Sequence, residues 1–220
     1  MGFLRDIQKD INRDASIYMV VHEHPDGDAV GSQVALTLYL RSLGWKAFMV
    51  RAEQISTTYD YFTKDVPVRC PEAISDNEDN VFIALDCSKT MRLPESMRSR
   101  KYHAVIDHHP EETPWSTYRK IDVTASSACE LLMSLLTEDG YKLDNHQINE
   151  ALYLGIMTDT GNFSHSNTSQ HAFKCAENLV AAGVKPYQII QQVFNNKTPE
   201  QLKLQSLFLN NVQVFSAGAI

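Results

Sequence analysis

Four short apolar segments, separated by helical stretches, constrain the fold of this chain more than any other feature. They cover residues 16–22 (SIYMVVH), 46–51 (KAFMVR), 81–86 (VFIALD) and 103–109 (HAVIDHH). Apolar runs of this length are typical of buried strands, and strands that alternate with helices usually run parallel. The sequence therefore predicts an α/β fold in which helices cover both faces of a mostly parallel sheet.

Capping residues mark where several helices begin. A capping-box pattern, Ser127-x-x-Glu130, opens the helix predicted at residues 127–139. The last helix begins at Thr198, has Pro199 at its first position and runs to about residue 210. The other predicted helices cover residues 1–14, 31–43, 148–157 and 169–183, and residues 66–80 are predicted to form a surface loop.

Acidic and imidazole side chains follow the apolar segments. In an open α/β sheet, ligands bind at the carboxyl ends of the strands, so segments far apart in sequence should bring these side chains to one place. The residues are His22, Asp26, Asp28, Asp86, Asp107, His108, His109 and, after the apolar sequence LYLGIM, Asp159.

Four aspartates packed together would repel one another and raise one another's pKa. They stay ionised only where cations lie between them, and two divalent cations match the charge of Asp26, Asp28, Asp86 and Asp159. Each motif alone also has an ordinary explanation: PDGD as a turn, Asp86 as a helix cap, and the paired histidines as surface residues. Those explanations do not account for acids at several strand ends, so the sequence predicts a two-metal site.

The motifs resemble those of the DHH phosphoesterase family. HEHPDGDAVGS (22–32) resembles its first motif, ALDCS (84–88) its second, VIDHH (105–109) its third and GIMTDTGNF (155–163) its fourth. The form PDGDAVGS looks like the branch that contains oligoribonucleases (nanoRNases) and phosphatases of 3′-phosphoadenosine 5′-phosphate. RecJ-type exonucleases and family II pyrophosphatases look more distant.

The resemblance implies a role for each matched residue. One metal would be bound by His22, Asp26 and Asp86. The other would be bound by Asp28, Asp86, His108 and Asp159, so that Asp86 bridges the two. His109 would act on the substrate phosphate or the leaving group, and Asp107 would be the partner of an imidazole. Because every implied ligand atom is oxygen or nitrogen and none is a thiolate, Mn²⁺ or Mg²⁺ is favoured over structural zinc. Mn²⁺ is the expected cofactor and Mg²⁺ the alternative.

Other residues have two interpretations each. Arg92, in a basic segment at residues 88–101, lies either in a solvated connection or against a substrate phosphate. His165 lies either on the surface or at the pocket. Trp115 and Tyr118 either stack on a base or take part in packing.

The expected function is metal-dependent hydrolysis of short single-stranded RNA and of 3′-phosphoadenosine 5′-phosphate. The alternatives are a pyrophosphatase or polyphosphatase, and a module that senses a nucleotide without turnover. A net charge of −7 argues against binding to long duplex nucleic acid. We expect no membrane span and a cytoplasmic location, because the chain has no run of roughly 18 apolar residues and no signal peptide. A homodimer is compatible with the sequence.

The expected domain division places the catalytic domain at residues 1–196, and a connector helix with the start of a second domain at residues 197–220. The resemblance implies a C-terminal domain with a glycine-rich, histidine-containing substrate motif. Because the sequence has no Gly-Gly pair, we expect this chain to be a fragment without that domain.

Overall fold

The fold is organised around one sheet of six parallel strands. The computed structural model describes residues 2–75, 79–110, 113–196 and 198–212. The strands are β1 (Ser16–Val20), β2 (Lys46–Val50), β3 (Val68–Arg69), β4 (Val81–Leu85), β5 (Tyr102–Asp107) and β6 (Ser116–Ile121). Their order across the sheet is β3-β2-β1-β4-β5-β6, and every neighbouring pair is parallel. The predicted α/β class with a parallel sheet is confirmed.

Eight α-helices accompany the sheet in the described residues. They are α1 (Phe3–Asp10), α2 (Gly27–Ser42), α3 (Asp60–Thr63), α4 (Ala128–Asp139), α5 (His146–Asp159), α6 (Gln170–Ala181), α7 (Pro186–Val193) and α8 (Pro199–Asn210). Within that part of the chain, none of the helices has the length and apolar character to cross a bilayer.

The two faces of the sheet are covered differently. On one face, side chains such as Met19 and Ile106 pack into the main core with residues of α2, α4 and α5. On the other face, Tyr18 and Val105 pack with Leu93 and Met97, which belong to two short 3₁₀-helical turns and the segment between them. Both faces are therefore apolar, which explains why the central strands read as continuous hydrophobic runs.

Two strands and the helices α3 and α7 were not predicted, and the bounds of α1, α2 and α5 differ from the predictions. The short strand β3 lies inside the predicted loop at residues 66–80, and β6 was not predicted. Every residue of β6 is at least partly exposed, so this edge strand lacks the apolar run that identifies buried strands. Helix α2 begins four residues before the predicted start, because the side chain of Asp26 accepts hydrogen bonds from the backbone N–H groups of Asp28 and Ala29.

The order of the strands reverses between β1 and β4. The chain moves outward from β1 to β2 and β3, and then returns to place β4 on the other side of β1. In doubly wound sheets, ligands bind beyond the carboxyl ends of the strands at this reversal. The residues that follow β1 and β4 include His22 and Asp86, so the topology places both at the expected binding position.

Helices α2 and α5 pack closely where both contain glycine. A Cβ atom built on Gly155 would lie 2.3 Å from Cys129 Sγ and 2.5 Å from Asp28 Oδ1. Contacts this short leave no room for a methyl group beside two fully buried side chains. Gly155 therefore permits the approach that brings Asp28 to the end of the sheet.

We expect Gly155→Ala to lower the free energy of unfolding by about 1–3 kcal/mol, the usual cost of overpacking a core. Urea unfolding followed by circular dichroism measures this change. The control is Gly2→Ala, because a Cβ on Gly2 would make only ordinary contacts, at 3.8 Å and beyond. Equal stability of both variants and the unmodified chain would show that the two helices separate without cost.

Candidate metal centre

The predicted site residues converge at the carboxyl end of the sheet. His22 and Asp86 follow β1 and β4, and Asp107 is the last residue of β5. Asp26 and Asp28 lie at the start of α2, with Asp28 in its first turn. Asp159 reaches the same place from a different element, because it is the last residue of α5 rather than the end of a strand.

The first ligand group consists of His22, Asp26 and Asp86, with one ligand atom of each within 4.8 Å of the others. His22 Nε2 lies 3.3 Å from Asp86 Oδ2 and 4.0 Å from Asp26 Oδ2. His22 Nδ1 lies 2.6 Å from the carbonyl oxygen of Glu23, to which it donates a hydrogen bond. That bond leaves the lone pair of Nε2 free and directed into the space between the imidazole and the two carboxylates, where a cation would lie.

The second ligand group consists of Asp28, His108 and Asp159, again within 4.8 Å of one another. His108 Nε2 lies 3.3 Å from Asp159 Oδ2 and 3.9 Å from Asp28 Oδ2. His108 Nδ1 lies 3.3 Å from the carbonyl oxygen of Ala125, which favours the same tautomer as in His22. The two groups therefore repeat one arrangement, a fixed imidazole facing carboxylates.

Asp86 lies between the two groups. Its Oδ2 faces His22, whereas its Oδ1 lies 3.6 Å from His108 Nε2 and 3.4 Å from His109 Nδ1. The backbone of Asp86 has φ +51, a left-handed conformation that costs a non-glycine residue energy and is often retained where a side chain must be aimed at a site. One carboxylate is thus positioned to contact a cation in each group.

Three buried polar atoms of the site lack a hydrogen-bond partner within the described residues. They are His22 Nε2, Asp86 Oδ1 and His108 Nε2, all in the two ligand groups, and a fourth such atom, Asp107 Oδ2, lies beside them. Buried polar atoms are normally paired, and unpaired ones call for a ligand. Carboxylate oxygens and imidazole nitrogens that converge without hydrogen-bonding one another are typical ligand atoms of divalent cations. The residues present therefore fit the cofactor that the sequence predicts.

Without a cation, the carboxylates and imidazoles of the second ligand group shift one another's pKa values. Burial, then the charges of Asp86 and Asp159, raise the pKa of Asp28 well above its ordinary value. Burial raises the pKa of Asp159 to about 6, although the charge of His108 opposes this. Burial would lower the pKa of His108, but contact with Asp86 and the charges of Asp28 and Asp159 raise it to about 9. Protons and metal ions should therefore compete for this site.

The adjacent histidines differ in surroundings. The side chain of His108 is 11% exposed and faces the acids, whereas that of His109 is 41% exposed. His109 Nδ1 donates to Asp107 Oδ1 at 3.0 Å, and Asp107 itself is fully buried. Its hydrogen bond to Asp107, then contact with Asp86, raise the pKa of His109 to about 10. Asp107 therefore holds His109 protonated and oriented at the solvent side of the site.

Four residues with two interpretations are placed as follows. Arg92 is exposed, and its carbonyl oxygen accepts a hydrogen bond from the backbone N–H of Glu23 at 2.8 Å. His165 is exposed, with Nδ1 3.4 Å from the carbonyl oxygen of Asp159. The indole N–H of Trp115 donates to the carbonyl oxygen of Ser88 at 2.6 Å, and the ring of Tyr118 lies 5.3 Å from that of His103 at a tilt of 41°. Both of these aromatic rings take part in packing.

The sequence did not predict how Asp28 is held. Its Oδ2 accepts from the backbone N–H of Ala128 at 2.6 Å, and its Oδ1 accepts from that of Cys129 at 2.9 Å. The available signal was the capping pattern Ser127-x-x-Glu130, of which the Ser127 half is confirmed and the Glu130 half is wrong. Ser127 caps α4 as predicted, whereas the Glu130 carboxylate bonds to Ser126 and not to the backbone of Ser127.

The sequence of the chain is similar to sequences of known proteins. The chain matches the DHH family, N-terminal domain, over residues 16–156. It is 30% identical to the bifunctional oligoribonuclease and PAP phosphatase NrnA of Bacillus subtilis, a match that covers 97% of this chain and 69% of that protein. It is 25% identical, over 74% of its length, to a probable manganese-dependent inorganic pyrophosphatase of Bacillus licheniformis, of which it covers 54%.

A solved structure has the same fold. The exopolyphosphatase-related protein from Bacteroides fragilis superposes with a TM-score of 0.82 at 22% identity, covering 96% of this chain and 65% of that one. The chain thus spans 54–69% of the length of these three proteins. Because the family match includes the first three motifs, and a relative 30% identical extends along almost the whole sequence, the chain belongs to the DHH family.

Proposed function

We propose that this chain carries the catalytic site of a hydrolase that cleaves short oligoribonucleotides and the phosphate ester of 3′-phosphoadenosine 5′-phosphate, using two divalent cations. The observation that carries the proposal is the position of Asp86, whose two oxygens face separate ligand groups. Membership of the DHH family and the printed activities of the Bacillus subtilis relative support the choice of substrates.

The two ligand groups would hold the cations. His22, Asp26 and Asp86 would bind one, and Asp28, His108 and Asp159, with Asp86, the other. When bound, such cations supply Lewis-acid stabilisation of the charge on phosphate oxygens and lower the pKa of an attacking water. We propose Mn²⁺ over Mg²⁺, because imidazole ligands suit Mn²⁺ better and Mg²⁺ prefers oxygen.

His109 and Asp107 would act on the substrate. A protonated imidazole that is 41% exposed can donate a hydrogen bond to a phosphate oxygen or a proton to the leaving oxygen. Asp107 would keep His109 oriented through the Nδ1 hydrogen bond, so that Nε2 remains available. Arg92 would bind a phosphate of the substrate through its exposed guanidinium group, whose hydrogen-bond donors match the phosphate oxygens.

A pyrophosphatase is the second candidate, because the same cation pair would also activate water towards pyrophosphate. The likeness to the probable manganese-dependent pyrophosphatase of Bacillus licheniformis favours this alternative. A module that binds nucleotides without turnover is the third candidate from the sequence.

Turnover of three substrates separates the candidates. With Mn²⁺ present, we expect a ribodinucleotide and 3′-phosphoadenosine 5′-phosphate to be hydrolysed, and pyrophosphate to be hydrolysed much more slowly. The measurement is the rate at which the protein releases phosphate or nucleotide from each substrate, with the three substrates at equal concentration. Protein treated with a chelator is the control. Faster release from pyrophosphate would establish the second candidate, and nucleotide binding without release would establish the third.

A further inference from the structure

One short segment is tied to every member of the second ligand group, to two of them directly and to the third through Asn167. This segment, residues 125–129, is called the Ser126 turn below, and its last two residues are the first two of α4. The carbonyl oxygen of Ala125 lies 3.3 Å from His108 Nδ1. At the other end of the turn, the backbone N–H groups of Ala128 and Cys129 hold both oxygens of Asp28. A displacement of the turn would therefore move an imidazole and a carboxylate together.

Asn167 connects the same turn to the third member of the group. Its Nδ2 donates to the carbonyl oxygen of Ser126 at 3.0 Å and to that of Asp159 at 3.2 Å. Asp28, His108 and Asp159 thus come from three distant parts of the chain, yet all three are tied to the Ser126 turn. The turn therefore links the three residues to one another.

Glu130 fixes the Ser126 turn. Its Oε2 accepts hydrogen bonds from the backbone N–H of Ser126, at 3.0 Å, and from the hydroxyl of Ser126. Its Oε1 lies 2.7 Å from His171 Nδ1 on α6. The Glu130 side chain is 4% exposed and Ser126 is fully buried, so the removal of this carboxylate would leave a buried N–H group unpaired.

The first ligand group is supported by other residues. His22 is held by the carbonyl oxygen of Glu23, and Asp26 by the first amides of α2. The backbone N–H of His24, between them, donates to Glu53 Oε2 at 3.1 Å. These supports belong to the segments after β1 and β2, whereas the Ser126 turn follows β6. The two cation positions share Asp86, and the backbone N–H of Asp28 bonds to Asp26, but the Ser126 turn contacts only side chains of the second group.

We infer that Glu130 is a positioning residue for the second cation position and not for the first. The inference rests on the proposed function, because it assumes that the two ligand groups hold divalent cations. Glu130 touches neither cation nor substrate. It acts by holding the Ser126 turn, and the turn holds the ligands. Outer partners of metal ligands typically contribute about 10–100-fold in metal affinity.

Two variants of Glu130 and one control test the inference. Glu130→Leu removes both sets of hydrogen bonds. Glu130→Gln can keep them, because its amide oxygen can accept from Ser126 while its NH₂ group donates to the other tautomer of His171. The matched control is Glu150→Leu. Glu150 is likewise buried and lies in the first half of α5. Its carboxylate pairs with the imidazole of His146 and with the hydroxyl of Tyr61.

Calorimetric titration with Mn²⁺, on proteins whose folding is checked by circular dichroism, gives the result. We expect the unmodified chain to bind two ions and Glu130→Leu to bind one of them about 10–100-fold more weakly, with the other unchanged. Glu130→Gln and Glu150→Leu should bind both ions as the unmodified chain does. Hydrolysis by Glu130→Leu should recover at high Mn²⁺ concentration.

Several outcomes would overturn the inference. It fails if Glu130→Leu binds both ions normally, loses both equally, or behaves like Glu150→Leu. If Glu130→Leu does not fold, Ser126→Ala removes one of the hydrogen bonds through which Glu130 holds the turn. Weaker binding of one ion by Ser126→Ala then supports the inference, and normal binding of both ions counts against it. If the unmodified chain binds two ions but hydrolyses no substrate, the proposed function fails while the titration still decides the role of Glu130. If it binds none, both fail.

Discussion

Replacement of Asp86 by asparagine is expected to weaken both cation positions at once and to abolish hydrolysis. Its two oxygens face different ligand groups, so a neutral amide removes charge from both and presents an NH₂ group to one of them. The loss of Mn²⁺ affinity should be larger than the loss of about 10–100-fold that is typical when an outer partner of a metal ligand is removed. Calorimetric titration with Mn²⁺ and the dinucleotide assay measure the two effects.

Asp26→Asn is the matched control for Asp86→Asn. Asp26 belongs to the first ligand group alone, and its side chain is 55% exposed, so one cation should be weakened and the other kept. Asparagine also preserves the cap of α2, because its amide oxygen can accept from the same backbone N–H groups. Equal and mild losses in the two variants would show that Asp86 does not bridge the cations.

The central sheet could be predicted because its strands are buried on both faces. Each of β1, β2, β4 and β5 is an apolar run bounded by polar residues, and such runs are visible in one sequence. The edge strand β6 was missed for the opposite reason. Along its sequence STYRKI, partly buried and exposed residues alternate at first, and none is fully buried. This segment forms a strand because its backbone pairs with β5, which its composition does not reveal.

The candidate site shows a similar limit. The side chains that converge could be predicted, since acids and histidines at strand ends are an unusual pattern. The groups that hold them could not, because most are backbone atoms. The carbonyl oxygen of Ala125 and the amides of Ala128 and Cys129 acquire their positions from a turn, and any residue type offers the same atoms. Glu130 was visible in the sequence only as one half of a capping pattern.

His108→Ala and His109→Ala are expected to lose activity for different reasons, although the residues are adjacent. His108 faces the second ligand group, so its loss should weaken Mn²⁺ binding and make hydrolysis depend steeply on metal concentration. His109 is paired with Asp107 and borders solvent, so its loss should remove about 10²–10⁴-fold in rate while metal affinity stays near that of the unmodified chain.

Hydrolysis measured against Mn²⁺ concentration distinguishes the two variants. Excess Mn²⁺ should partly restore His108→Ala, because a weakened cation position can still be filled by mass action. It should not restore His109→Ala, because the missing group is a proton and hydrogen-bond donor for which a cation is no substitute. His146→Ala is the control, since His146 lies at the other end of α5 from Asp159, and its removal should change neither quantity. Rescue of His109→Ala by metal, and not of His108→Ala, would mean that the two roles are reversed.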